Sequence, residues 1–347
     1  MTGESYNSPD DSDYATVAMD AASGSIRWTA RYDGPAHGHD HANSLVITPE
    51  GSEVIVTGYS DGGATDNDYA TVAYGAESGT ELWSSRFTGP ANASDVAVAV
   101  SVSPDGQKAF VTGHAYVSDN GDFVTLALAT SSGALLWESA FAATGTSDDF
   151  PTDLAVSPDG STVFAAGDSQ LPPYGPSNYA VVAIDAASGR RLWARRYDPA
   201  RGHRAYAQDL EVSRDGSSIY LTGYAVSGSR IEFATVAFGA QTGSPLWVAR
   251  FGSPDYVVAE GYAEALSPDG KRLYVTGLVT QGFSDGYATL SYEPLTGELV
   301  GEQFYGEPEM LDYPSDVAVT STMVFVTGKA TTGVDGWDYA TVAYAAG

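Results

Sequence analysis

The residues best suited to chemistry stand in one short run, His37-Gly38-His39-Asp40-His41. Imidazole and carboxylate groups are ligands for zinc, nickel or copper. In an extended segment His37, His39 and His41 point to one side and Asp40 to the other, which makes His37, His39, Asp40 and His41 a candidate metal site. The corresponding positions of the next similar loop hold Asn92, Ser94 and Val96, so the run belongs to a single loop. The competing reading is a solvated loop that happens to be rich in histidine; His114 and His203 join the group only if the fold brings them near.

A second set is acidic. Asp40, Asp95, Asp149 and Asp312 occupy corresponding places before a predicted strand, and Asp153, Asp209 and Asp316 form a second series four residues on. If that strand lines a channel, these carboxylates ring its mouth, and calcium takes several such oxygen ligands. Recurrence favours the plainer reading, in which each caps a turn or pairs locally, because active sites are asymmetric where architecture repeats. By the same reasoning Arg31, Arg86, Arg196 and Arg250 are ion-pair residues, and Asp13, Asp68, Asp122 and Asp338 are turn residues. Trp337, Tyr174 and Phe283 lie in corresponding variable loops, where aromatic rings suit stacking on a sugar or anchoring a protein partner. No G-x-S-x-G elbow, P-loop, dinucleotide fingerprint or HExxH helix is present.

The elements that position these residues are repeated. The segment DYATVAM from Asp13 returns as DYATVAY, DFVTLAL, NYAVVAI, EFATVAF, GYATLSY and DYATVAY, with its aromatic at 14, 69, 123, 179, 233, 287 and 339. A period of 52 to 56 residues is that of a solenoid, propeller or array. Each period holds four strand-like runs, for example Ala97–Val102, the turn Ser103-Pro104-Asp105-Gly106, Ala109–Gly113, DFVTLAL, and Leu135–Trp137. Proline and glycine at those places suit a type I turn. Four antiparallel strands per unit, repeated, predict an all-β propeller. The SPDG and SG turns are short and alike, whereas the loops after each VTG differ in every copy, so the variable loops should share one face.

The DYAT strand occurs seven times and the other three strands six. Seven blades with incomplete terminal blades is the expected count, with six as the alternative. Met1-Thr2-Gly3 matches the tail of a VTG strand, so a native start further upstream is also expected, GTG being both a valine codon and a start codon. The net charge of −28, with three lysines, disfavours nucleic acid as a partner. The absence of cysteine excludes disulfides, thiolate zinc sites and a cysteine nucleophile. No apolar run is long enough to span a membrane, and the first residues do not form a signal peptide.

The pattern Ala-x-x-x-x-(Ser/Thr)-Gly-x-x-x-Trp occurs five times, ending at Trp28, Trp83, Trp137, Trp193 and Trp247. It resembles the tryptophan-docking motif of quinoprotein-like propellers, and the wider unit DYATVAY…LW…SPDG…VTG resembles the repeats of bacterial PQQ-like β-propeller proteins over essentially the whole chain. The resemblance implies that those five indoles stack on adjacent blades, with Gly24, Gly79, Gly133, Gly189 and Gly243 as platforms. Gly301 stands where the sixth indole belongs, so that junction is expected to be the weakest. The catalytic residues of quinoprotein dehydrogenases do not carry over, since those enzymes are longer and no calcium-ligand set or adjacent cysteines can be matched; PQQ is not an expected cofactor and no cofactor is fixed by the sequence, calcium and zinc being the candidates.

These observations predict one propeller domain over residues 1–347, monomeric and extracellular or at the cell surface. Its expected role is non-catalytic binding or scaffolding, with the variable loop face engaging a protein or carbohydrate. The alternative is a metal-assisted hydrolase or lyase with its site at the channel mouth. Secretion rests on the resemblance and the acidity.

Overall fold

The computed structural model describes all residues except 9–10, 118–119, 143–147, 171–174, 200–203, 253–255, 283, 307–311, 332–335 and 347. Among the described residues the secondary structure is entirely β. Seven antiparallel sheets follow one another in chain order; the second to sixth have four strands, and the first and last have three. The fold is a β-propeller, with seven blades and incomplete terminal ones. The first sheet comprises Thr2–Ser8, Asp11–Met19 and Ile26–Tyr32, and the seventh Tyr313–Val319, Met323–Thr331 and Trp337–Ala345. The chain divides into two compact units: Met1–Ala165 with Ser169–Pro173 and Val182–Leu192, and Ala166–Asp168 with Tyr174–Val181 and Trp193–Gly347.

The repeated motifs follow from what each residue meets. The threonines of the VTG and DYAT strands face each other across the ladder and share a hydrogen bond, as in Thr57–Thr71 at 2.9 Å, Thr112–Thr125 at 3.0 Å and Thr222–Thr235 at 2.9 Å. Burial of one hydroxyl therefore demands the other. The aromatic of each of the first six DYAT strands packs on the aromatic that ends the outer strand, as Tyr14 on Tyr32, Tyr69 on Phe87 and Phe233 on Phe251. Its hydroxyl, where present, reaches the next sheet: Tyr14 donates to Ala70 O at 3.0 Å, Tyr69 to Val124 O at 3.2 Å and Tyr179 to Ala234 O at 2.8 Å. The VTG glycine is required because a Cβ on Gly58 would stand 1.9 Å from the His41 carbonyl oxygen.

The SPDG turn is held by its own side chains. Ser103 Oγ donates to Asp105 Oδ1 and accepts Lys108 N–H, and Asp105 accepts Gln107 N–H. The same bonds recur at Ser157–Asp159, Ser213–Asp215 and Ser267–Asp269.

Indoles join successive sheets. Trp28 Nε1 donates to Ala76 O at 2.9 Å, Trp137 to Ala186 O at 3.2 Å, Trp193 to Ala240 O at 2.9 Å, Trp247 to Pro294 O at 2.8 Å, and Trp83 to Thr130 O. The platforms are the turn glycines of the following sheet: Gly79, Gly133, Gly189, Gly243 and Gly297. Gly24 has nothing within 4 Å of its Cβ position, so it carries no indole; the fifth platform is Gly297. The offset arises because an indole on an outer strand reaches forward to the next unit, never back to its own turn. The seventh sheet buries Val317, Val324 and Val326 on one face and exposes Phe325 and Tyr339 on the other, Tyr339 at 98 %.

Candidate functional site

The three histidines of the sequence run do not converge. His37 has φ of 53°, so the segment turns rather than extends, and Asn92 takes the same left-handed conformation, φ 49°, in the next loop. A one-residue turn of this kind sends alternate side chains apart. His37 Nδ1 pairs with Asp33 at 2.8 Å, His39 Nδ1 with Ser12 Oγ at 3.1 Å, and His41 Nδ1 with Asn43 Oδ1 at 2.9 Å while its ring stacks on Tyr59. The hydrogen bond to Asp33 and its charge raise the His37 pKa.

What does converge is carboxylate. An oxygen from each of Asp13, Asp33 and Asp40 lies within 4.8 Å of the other two. Asp13 is buried, its Oδ2 taken by Asn7 at 3.0 Å and Arg31 at 2.8 Å, and its Oδ1 has no hydrogen-bond partner. Asp40 is fully buried and accepts Gly34 N–H on Oδ2. Burial raises the Asp40 pKa, opposed by the Ser60 hydroxyl and the Gly34 N–H. Three oxygen ligands of this kind fit a hard cation such as calcium better than zinc. The combination sets this loop apart: Thr88 stands in the place of Asp33 one unit on, and where Asp198 takes that place, Asn178 and Ala205 stand for Asp13 and Asp40.

The other carboxylates of the predicted mouth series brace loops. Asp95 accepts Gly89 and Tyr116 N–H, and Asp312 accepts Thr331 N–H at 3.1 Å. Asp149 is also fully buried; with Asp148 it adds to the burial that pushes Asp122 up to about 6. Asp209 sits at a bulge in Arg204–Val212 and accepts Glu264 N–H at 2.6 Å, stitching one inner strand to the next. The arginines pair within their own sheets, Arg31 with Asp13 and Arg86 with Asp68 at 2.8 Å.

A second set of acidic residues, which no motif in the sequence marks, lies in the second unit, with Asp168 in Thr162–Gln170, Glu211 in Arg204–Val212 and Glu260 in Val258–Leu266. Asp168 keeps some exposed surface yet sits deep among protein atoms, accepting Ala207 N–H at 2.7 Å; burial pushes it up to about 7. Burial likewise raises Glu211 to about 7, against the pull of Arg214 at 3.6 Å. Tyr262 donates to Glu260 at 2.7 Å, and Tyr206 packs on Tyr224. Asp168 and Glu211 are groups that can hold protons near neutrality. Burial in three dimensions, not spacing, creates them.

Of the predicted binding aromatics, Trp337 is 49 % exposed and meets Tyr313 with ring centroids 5.4 Å apart. Lys329 Nζ lies 5.2 Å from the Trp337 ring and 5.6 Å from that of Tyr313. Tyr174, Phe283 and His203 fall outside the described residues. His114 stacks on Phe150 and its pKa is lowered by burial. No helix among the described residues is long and apolar enough to cross a membrane, which says nothing of strands.

Blade-to-blade indole docking in four-stranded units defines the class, a PQQ-type β-propeller. A family model described as outer membrane protein assembly factor BamB matches residues 11–222, and the chain belongs to that family. No curated protein matches it in sequence. Similar solved structures include the β-propeller domain of the trilobed protease from Pyrococcus furiosus (10 % identity, 99 % of this chain and 91 % of that one, TM-score 0.55). A putative 6-phosphogluconolactonase from Bacteroides uniformis is 17 % identical over 96 % of this chain and 99 % of that one, TM-score 0.52. The quinohemoprotein alcohol dehydrogenase of Comamonas testosteroni is 13 % identical over 91 % of this chain and 61 % of that one, TM-score 0.55. At these identities the likeness is one of fold.

Proposed function

We propose that residues 1–347 act as a non-catalytic binding or scaffold propeller, extracellular or at the cell surface, which engages a protein or glycan through its variable loops. The observation that carries this reading is the half-exposed Trp337, set against Tyr313 and Lys329 at a loop end of the seventh sheet. Aromatic rings with a polar companion are the usual anchors of protein interfaces and sugar sites. Family membership supports it, since the matched family is described as an assembly factor. The test is capture of partners by the immobilised wild-type chain and by Trp337→Ala, together with a glycan array. Retention that disappears with the indole supports the reading; turnover of a substrate, lost when loop residues are changed, overturns it.

One observation favours a second reading, a metal-assisted hydrolase or lyase: the convergence of Asp13, Asp33 and Asp40. The likeness to a putative lactonase adds only that such folds occur among proteins so named. Lactone and phosphoester hydrolysis, assayed with calcium or zinc, separates the two.

A further inference from the structure

The sixth junction keeps the shape of an indole seat without the indole. In the fifth sheet Trp247 pairs with Ala237 across the ladder, and its ring lies between Tyr220 and Tyr292, with centroids 5.9 and 6.5 Å away. One unit on, Gly301 pairs with Ser291, and Tyr274 and Tyr344 stand at the positions of Tyr220 and Tyr292. Beside them is a partly open cavity of about 180 Å³, bordered by Tyr274, Tyr344, Gly301 and Val324 and also by the polar side chains of Arg272 and Glu302. A dry apolar cavity of about 150 Å³ accepts benzene in a protein interior; this space is more polar, and its volume is adequate for a flat aromatic ring. Pro294 O, which receives the Trp247 N–H, is matched by the carbonyl of Ala346.

We propose that this seat binds an indole or a similar flat aromatic bearing a ring N–H, whose ring lies between Tyr274 and Tyr344 and whose N–H is received by the Ala346 carbonyl. The argument is the repeat itself: five equivalent seats in the same chain are filled by an indole that donates to the corresponding backbone carbonyl. The sixth preserves the flanking rings, with Gly301 in place of the tryptophan; the platform glycine of the filled seats, as Gly297 stands five residues beyond Tyr292, has no counterpart within residues 1–347. The ligand could be a free heterocycle or a tryptophan side chain on a peptide; both present the same chemistry.

The test is 19F NMR of 5-fluoroindole with the purified chain, repeated in competition with indole and with N-acetyl-tryptophanamide to separate the two sources. Binding with a dissociation constant of about 1 mM or tighter is expected for nine or ten ligand atoms in such a seat. Gly301→Trp should fill the seat, abolish binding and raise the melting temperature, because Gly301 is not in a left-handed conformation and its Cβ position is crowded only by Ser291 Oγ. Gly301→Ala should retain binding. Tyr344→Ala, on a strand already partly exposed, should weaken binding about tenfold or more by removing one flanking ring, and it decides the matter if Gly301→Trp fails to fold. No binding at millimolar 5-fluoroindole, or binding unchanged in a folded Gly301→Trp or Tyr344→Ala, overturns the proposal.

Discussion

The ring of Trp247 lies so close to Gly297 that a Cβ on the glycine would stand 2.5 Å from the indole Cε3. The glycine also has φ of 71°, so turn conformation and ring contact both demand that it lack a side chain. The same arrangement at Trp137 and Gly189 sets two expectations. Trp137→Ala should lower stability by up to about 3–5 kcal/mol, the upper end expected of aromatic truncations, since the ring is half-buried. Gly189→Ala should lower it by about 1–3 kcal/mol through overpacking and strain. Urea denaturation measures both, and an unchanged transition midpoint in Trp137→Ala would remove the indole from the account of blade docking.

Much of this architecture is legible in the sequence because it repeats. Seven DYAT strands, the SPDG turns and five spaced tryptophans each report a contact made many times over, such as Thr57 on Thr71 or Ser103 on Asp105. The platform assignment could be read only in part: Gly24 and Gly297 occupy the same motif, and only the forward reach of the indole decides that Gly297 carries a ring. The site is less legible. His37, His39 and His41 promise convergence only if the backbone is extended, and the left-handed turn at His37 sends them to three partners. The recurring 27-residue spacing of Asp13 and Asp40, Asp68 and Asp95, Asp122 and Asp149, and Asp285 and Asp312 was the available signal for carboxylates that meet. Nothing local marks Asp168 or Glu211, whose proton affinity comes from burial by other strands.

Stability should peak on the acid side of neutrality. Asp168 and Glu211 bind protons more tightly folded, at about 7, than unfolded. The folded state therefore holds more protons between about pH 4 and 7, and stability falls as pH rises through that window. The turn residues Asp105, Asp159, Asp215 and Asp269 act oppositely: hydrogen bonds from serine hydroxyls lower their pKa values, so their contribution is lost as pH falls below the unfolded value near 4. Thermal melts from pH 3 to 9 should trace a maximum between the two. Asp168→Asn should raise the melting temperature at pH 8 and leave it nearly unchanged at pH 4; an equal shift at both values would show that ionisation of Asp168 is not the cause.

Cations should act through Asp33. With Asp13 Oδ1 buried and without a hydrogen-bond partner beside Asp33 and Asp40, calcium added after chelator treatment should raise the melting temperature. A ligand at one hundred times its dissociation constant adds about 2.7 kcal/mol. Zinc should do no better than calcium, because each imidazole Nδ1 is already hydrogen-bonded, His37 to Asp33 itself, His39 to Ser12 and His41 to Asn43. Asp33→Asn, at an exposed position, should abolish the calcium shift without unfolding the chain. A zinc shift lost on replacing His37 or His39 would instead revive the histidine site.

Trp337 should contribute to binding far more than to folding. Its ring is half exposed and touches Tyr313 and Lys329 at the edge of the last sheet, so Trp337→Ala should change stability by no more than about 0.5–1 kcal/mol, as for surface positions. Loss of an aromatic anchor from an interface typically costs about 2 kcal/mol or more of binding energy, a thirtyfold or greater weakening at about 1.4 kcal/mol per decade. The chain carries a net charge of −28, so a protein partner should present basic groups and associate more slowly as salt rises; a neutral glycan should show no such dependence. Surface plasmon resonance at two salt concentrations, with wild type and Trp337→Ala side by side, reads both effects. A variant that binds as tightly as the wild type places the partner on another part of the surface, and a variant that melts several degrees lower makes Trp337 a packing residue of the seventh sheet.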